Sequence, residues 1–143
     1  MNLMPGIETT SSALQAEKLR MDIIGQNIAN AHTTRGPDGM PYQRQTVQFE
    51  AKLMELGRDQ NGKMQTAQGV NVRDVVTDET NGPLVFNPGH PDADEKGMVQ
   101  LPNVNLTHEM VDLISASRSY EANLQVVRTS KQMAQQALRI GQR

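Results

Sequence analysis

The sequence contains no cysteine and no tryptophan, and only two phenylalanines and two tyrosines among its 143 residues. The missing cysteine excludes disulfides, thiolate zinc sites and a cysteine nucleophile, and leaves the compartment open. Scarce aromatics, with a hydrophobic fraction of 36%, leave little apolar area to bury per residue, so a conventional core is poorly supplied. No apolar run approaches the roughly 20 residues that span a bilayer, which excludes membrane insertion by a helix. The N-terminus lacks the basic and then apolar blocks of a cleaved signal peptide. A net charge of -2 argues against an electrostatic nucleic-acid partner and against a polybasic membrane-surface protein. G-x-S-x-G, Walker and H-E-x-x-H patterns are all absent, and the three histidines, His32, His90 and His108, lie in three different segments. Neither an enzyme nor a cofactor is indicated. Nine methionines, in contrast, supply flexible apolar surface that suits interfaces as well as cores.

The strongest periodic signal runs from Asn105 to Gly141. Alternating steps of three and four from Met110 give Met110, Leu113, Ser117, Tyr120, Leu124, Val127, Lys131, Ala134, Leu138 and Gly141, a heptad seam with seven apolar members. Good helix formers fill the segment, which contains no proline and no glycine before its last residue. Asn105 and Thr107 are candidate N-caps. Glu109 and Asp112 near the start, with Arg128, Lys131 and Arg139 near the end, suit the helix dipole. A helix of roughly 50 Å is longer than so small a chain can wrap, so it needs a partner helix. A weaker seam appears from Ile7: Ile7, Leu14, Met21 and Ile28, with Ile24 and Ala31 beside them. Gly25 lies inside this helix at a cost of roughly 1 kcal/mol relative to Ala, and is read either as a close approach by another helix or as a tolerated imperfection. Helix-start signals include Pro5 and a capping box from Ser12 to Gln15, and the helix should stop near Asn30.

Residues 35–104 differ in kind, holding six of the seven prolines and eight of the eleven glycines. Short runs with strand character are Thr46–Phe49, Val70–Val76, Leu84–Phe86 and Met98–Leu101. Asn61-Gly62 and Asn81-Gly82 are turn signals, and the second predicts a hairpin between the Val70 and Leu84 runs. This middle carries seven basic and ten acidic residues, against five basic and three acidic over residues 108–143. The expected architecture is mainly α with a small β lobe: an N-terminal helix within 1–34, a middle segment of short strands and loops over 35–104, and a C-terminal helix within 105–143.

His90-Pro91-Asp92-Ala93-Asp94 invites a metal reading, and Asp92-x-Asp94-x-Lys96-Gly97 begins like a calcium loop. Lysine occupies the fifth position and Asn103 the twelfth, where a bidentate glutamate belongs, so a hydrogen-bonded Pro/Asp turn is the better reading and no metal site is assigned.

Ile24-Gly25-Gln26-Asn27-Ile28-Ala29-Asn30-Ala31 followed by Thr33-Thr34 resembles the N-terminal signature of the bacterial flagellar rod, hook and hook-associated axial proteins. Pro41-Tyr42-Gln43-Arg44-Gln45, Asn87 to Asp94, Pro102-Asn103-Val104-Asn105, Glu109 to Ile114 and Ser119 to Asn123 resemble the proximal rod members of that family. The likeness covers roughly residues 3–49 and 69–141. It departs mildly at His32 and Asn87, and residues 50–68 match nothing recognisable. The resemblance implies that the terminal helices pack as an antiparallel coiled coil, that the chain leaves the cytosol through the flagellar type III export apparatus without signal cleavage, and that it assembles with copies of itself and with other rod proteins in the periplasmic part of the basal body. The assembly interface is then expected along the two seams, at Ile7, Leu14, Met21, Ile24, Gly25 and Ile28, and at Met110, Leu113, Tyr120, Leu124, Val127, Ala134 and Leu138. A soluble helical adaptor or export chaperone is the alternative; it would also use heptads, but should connect them by helical or disordered chain rather than by strands.

Overall fold

A computed structural model of the chain describes residues 4–58 and 64–141. The element order is α1 (Met4–Ala29), β1 (Gln45–Arg58), β2 (Met64–Thr77), β3 (Leu84–Phe86), β4 (Met98–Gln100) and α2 (Leu106–Gly141). The fold is mostly helix with a β lobe. Helix α1 ends at Ala29, one residue before the expected stop, and Asn105 caps α2: its Oδ1 accepts hydrogen bonds from the Thr107 and His108 amides at 3.1 and 3.2 Å. The anticipated capping box at Ser12 is not one. Ser12 lies in the middle of α1, where its hydroxyl donates to the Thr9 carbonyl and accepts from the Val70 amide of β2.

All four strands lie where strand character was read, but their pairing corrects the expected hairpin. β1 pairs with β2, while β3 pairs with β4, Leu84 opposite Gln100 and Phe86 opposite Met98. The Val70 and Leu84 runs therefore belong to different sheets. Gly82 turns the chain against Leu101 instead of closing a hairpin, and a Cβ there would sit 1.9 Å from the Leu101 carbonyl oxygen. Asn61-Gly62 lies outside the described residues. Strands β1 and β2 are also much longer than their apolar runs, 14 residues each. Strand β1 runs on through Glu50, Ala51 and Lys52, residues whose own preference for strand is weak.

The chain divides into two compact units. One comprises Met1–Leu19, Gln48–Asp74 and Ala116–Arg143; the other comprises Arg20–Val47 and Val75–Ser115. Each combines a piece of α1, pieces of the β region and a piece of α2. Buried apolar residues are few among those described: Ala16, Ile23, Ile24, Ala31, Val99 and Ala116.

The covered residues of α2 include positions of the apolar seam read in the sequence and others beside them. Glu109, Leu113, Ala116, Tyr120, Asn123, Val127, Ser130 and Ala134 are buried or half-buried at steps of four and three. Every second member coincides with the expected seam, at Leu113, Tyr120, Val127 and Ala134. Between them Ala116 is buried, while Ser117, Asn123, Leu124 and Ser130 are half-buried. Met110, Val111, Ile114, Val126, Met133, Leu138 and Ile140 stay exposed.

Candidate functional site

A dense set of long-range polar contacts among the described residues lies in the second unit, where the end of α1, the segment leading into β1 and the first turn of α2 meet. Asn27 sits on the same stripe of α1 as the buried Ile23 and Ile24, a turn before the buried Ala31. Glu109 lies in the first turn of α2. Both are fully buried, at 0% exposure. The Asn27 amide donates to the Gln45 carbonyl at 2.8 Å and to Glu109 Oε2 at 3.0 Å. Its Oδ1 accepts from the Tyr42 hydroxyl at 2.9 Å and from the Gln45 amide at 3.0 Å. Arg44 Nε donates to Glu109 Oε1 at 2.6 Å, and its Nη2 lies 3.5 Å from Asp112. The Arg44 amide bonds Asn103 Oδ1 at 2.7 Å, and the Asn103 side-chain amide reaches the carbonyls of Asp78 and Thr80.

A buried carboxylate is stable only when paired and hydrogen-bonded, and Glu109 is both. Among the described residues no buried side-chain nitrogen or oxygen lacks a partner. Partial burial, and after it the Glu109 charge, raise the Tyr42 phenol above its ordinary value, so it remains a neutral donor to Asn27. Hydrogen bonds from the Thr80 hydroxyl and amide lower the Asp78 carboxyl below the usual range and keep it ionised. A network of this kind leaves none of its own buried polar groups unpaired. It holds the approach to β1 against the ends of both helices in one geometry.

The His90 to Asp94 segment is a hydrogen-bonded turn. Asp92 accepts from the Thr34 hydroxyl at 2.8 Å and lies 3.5 Å from Arg35, while Asp94 Oδ1 takes the amides of Lys96 and Met98. His90 Nδ1 accepts the Asp92 amide and is thereby engaged as an acceptor. Gly97 takes φ +73° at the foot of this turn, where a Cβ would press on Phe86 and Pro88 at 3.0 Å.

The residues anticipated along the seams are distributed unevenly. Ile24 is buried within the chain; Ile7, Leu14, Met21, Ile28, Leu113, Tyr120, Leu124, Val127 and Ala134 are half-buried; Met110 and Leu138 are exposed. Gly25 is exposed, and a Cβ there would meet nothing within 4 Å among the described residues. Apolar periodicity had no means of finding the Asn27–Arg44–Glu109 network. The signal that was present is a polar residue on an apolar stripe, Asn27 between Ile24 and Ala31. The same residues, Asn27, Tyr42, Arg44, Asn103 and Glu109, stand inside the motifs that carry the family resemblance.

Two family profiles match the chain: one described as flagella basal body rod protein over residues 7–37, and one described as flagellar basal body rod FlgEFG protein C-terminal over residues 95–140. Full-length relatives agree. The chain is 44% identical to the flagellar basal-body rod protein FlgC of Borreliella burgdorferi, covering 98% of each chain. It is 42% identical to that of Yersinia enterocolitica, over 99% of this chain and all of the relative, and 37% identical to that of Bacillus subtilis over 99% of both. With the terminal helices and the signature motifs all inside the matched regions, the chain belongs to the FlgC family of flagellar basal-body rod proteins.

Proposed function

We propose that this structural rod subunit polymerises through its terminal helices, which pack as an antiparallel coiled coil and join the torque-transmitting shaft together with other copies and other rod proteins. The observation that carries the proposal is α2 itself. It is a 36-residue helix that leaves Val126, Met133, Leu138 and Ile140 uncovered, more apolar surface than an isolated helix keeps in water without a partner. In this reading residues 1–34 and 105–143 build the assembly, with Ile7, Leu14, Met21, Ile24, Gly25 and Ile28 facing α2 or neighbouring subunits, and residues 35–104 form the middle domain. The subunit resides in the periplasmic part of the basal body and reaches it through the flagellar type III apparatus without signal cleavage. It catalyses no reaction. The strands between the helices weigh against the adaptor alternative.

Electron microscopy of basal bodies from a strain lacking the subunit tests the proposal: the rod should be missing, and an intact rod would overturn it. Within that strain, Leu124→Asp should abolish assembly and swimming, since it gives up part of the roughly 2 kcal/mol of a buried leucine and adds carboxylate desolvation. Gln125→Asp, one residue along on the exposed side, should swim. Equal damage from both would refute packing along this face.

A further inference from the structure

Two surfaces of the chain are opposite in charge, and each carries uncovered apolar side chains. The first is β3. Leu84, Val85 and Phe86 are 63%, 43% and 67% exposed. Strand alternation places Leu84 and Phe86 on one face, while Val85 lies opposite the buried Val99. Carboxylates stand at both ends of this strand. Toward the Leu84 end are Asp78 and Glu79, because Asn103 holds the Asp78 and Thr80 carbonyls just beyond the point where the Leu101 amide bonds Pro83. Toward the Phe86 end are Asp94 and Glu95, because Asp94 binds the amide of Met98, the partner of Phe86 across the sheet. Residues 78–96 carry five carboxylates against one lysine, Lys96.

The second surface is the C-terminal part of α2. From Ala116 to Gly141 there are four basic residues, Arg118, Arg128, Lys131 and Arg139, against Glu121, and all five are exposed. Val126, Met133 and Ile140 recur every seven residues and are 51%, 49% and 77% exposed. At 3.6 residues per turn, Arg118, Arg128 and Arg139 border one side of the uncovered arc, and the three apolar residues border the other.

We propose that β3 of one copy docks on the C-terminal half of α2 of a second copy, with Leu84 and Phe86 against Val126, Met133 and Ile140, and with the flanking carboxylates facing the arginines. Charge decides the pairing. Bringing β3 against β3, or α2 against α2, would oppose like charges, whereas β3 against α2 matches them. Such a contact is heterologous, so each copy offers both surfaces and the contact repeats along a series of copies. The inference deepens the rod reading, and rests on it, by naming a second copy as the partner of these two surfaces.

The chain contains no cysteine, so engineered thiols report on the contact alone. Purified Leu84→Cys and Met133→Cys proteins are mixed and mildly oxidised. The mixed disulfide should exceed either same-site disulfide by several-fold. Its yield should fall several-fold when salt rises from about 0.1 to 1 M, as the screening length shrinks from ~10 to ~3 Å. Adding Asp94→Lys and Glu95→Lys to the first protein should abolish the mixed product, and adding Arg128→Glu and Arg139→Glu to the second should restore it, a rescue that misfolding does not produce. Dominant same-site products, no mixed product, or a yield indifferent to both salt and charge swap would overturn the docking. Complementation of swimming by the unmodified chain in its own deletion strain is scored separately. Swimming without the mixed product refutes this contact and leaves the rod reading standing, whereas failed complementation refutes the rod reading itself.

Discussion

Replacing Asn27 by aspartate changes one atom in the buried network and reverses its logic. In the native site the Asn27 amide nitrogen donates to Glu109 Oε2 at 3.0 Å and to the Gln45 carbonyl at 2.8 Å. In Asn27→Asp that nitrogen becomes a carboxylate oxygen facing a carboxylate and a carbonyl. Two unit charges at this distance repel by about 5–6 kcal/mol at an effective dielectric of about 20. The molecule avoids that by binding one proton between the two carboxyls. Holding a proton at pH 7 on a group whose ordinary pKa is roughly 4 costs about 4 kcal/mol, and the lost bond to Gln45 adds about 1 kcal/mol. The expected destabilisation is therefore about 4–5 kcal/mol at pH 7, a large share of the ~5–15 kcal/mol of a typical domain. The shared proton is held more tightly in the folded than in the unfolded state. The variant's deficit against the parent should accordingly grow as pH rises from about 4 to 7, and should shrink to about 2 kcal/mol at pH 5. Urea unfolding followed by far-ultraviolet circular dichroism at pH 5 and pH 7 measures both numbers. Gln26→Glu adds a charge at the exposed neighbouring residue and should stay within about 0.5 kcal/mol of the parent. A cost below about 1 kcal/mol for Asn27→Asp at pH 7, or one that ignores pH, would refute the network as drawn.

Gly82→Ala should destabilise by at least about 2 kcal/mol in the same unfolding assay, because its Cβ would meet backbone at Leu101 and Pro102 that cannot swing aside. Gly25→Ala should do the opposite, raising monomer stability by about 0.5–1 kcal/mol at an open helical position. If that more stable variant no longer swims, a neighbouring subunit approaches Gly25, and if it swims normally the glycine has no role in assembly. Tyr42→Phe should lose about 1 kcal/mol with its bond to Asn27. Because the folded-state pKa of Tyr42 is raised, native stability should decline as pH climbs through and above about 10, and this tyrosine's share of the decline should vanish in Tyr42→Phe.

Both helices, the four strand locations and the Asn105 cap were legible from the chain alone, because each depends on periodicity and on side chains bonding their own near neighbours. The family was legible too, since its motifs are contiguous runs. Strand pairing was not. Asn81-Gly82 is a sound local turn signal, but whether β3 pairs with β2 or with β4 depends on contacts with Leu101 and Asn103, far along the chain. Which α2 residues the chain itself covers was not legible either, for a related reason. Apolar spacing marks every surface that some partner covers, whether that partner is the chain itself or another molecule, and it does not tell that Met110 stays exposed while Ala116, off the seam, is buried. The Asn27–Arg44–Glu109 network lay furthest from reach. Its members are 17 and 65 residues apart in sequence (27 to 44, 44 to 109), and nothing in local propensity makes a glutamate in a helix's first turn anything but a solvated partner for the dipole. By itself, then, the sequence determined where this protein is helical or extended and to which family it belongs, since those follow from local preference and contiguous motifs. Only the tertiary structure decided which strands pair, which helix face the chain covers and which charges are buried, because those depend on residues that meet only after the chain has folded.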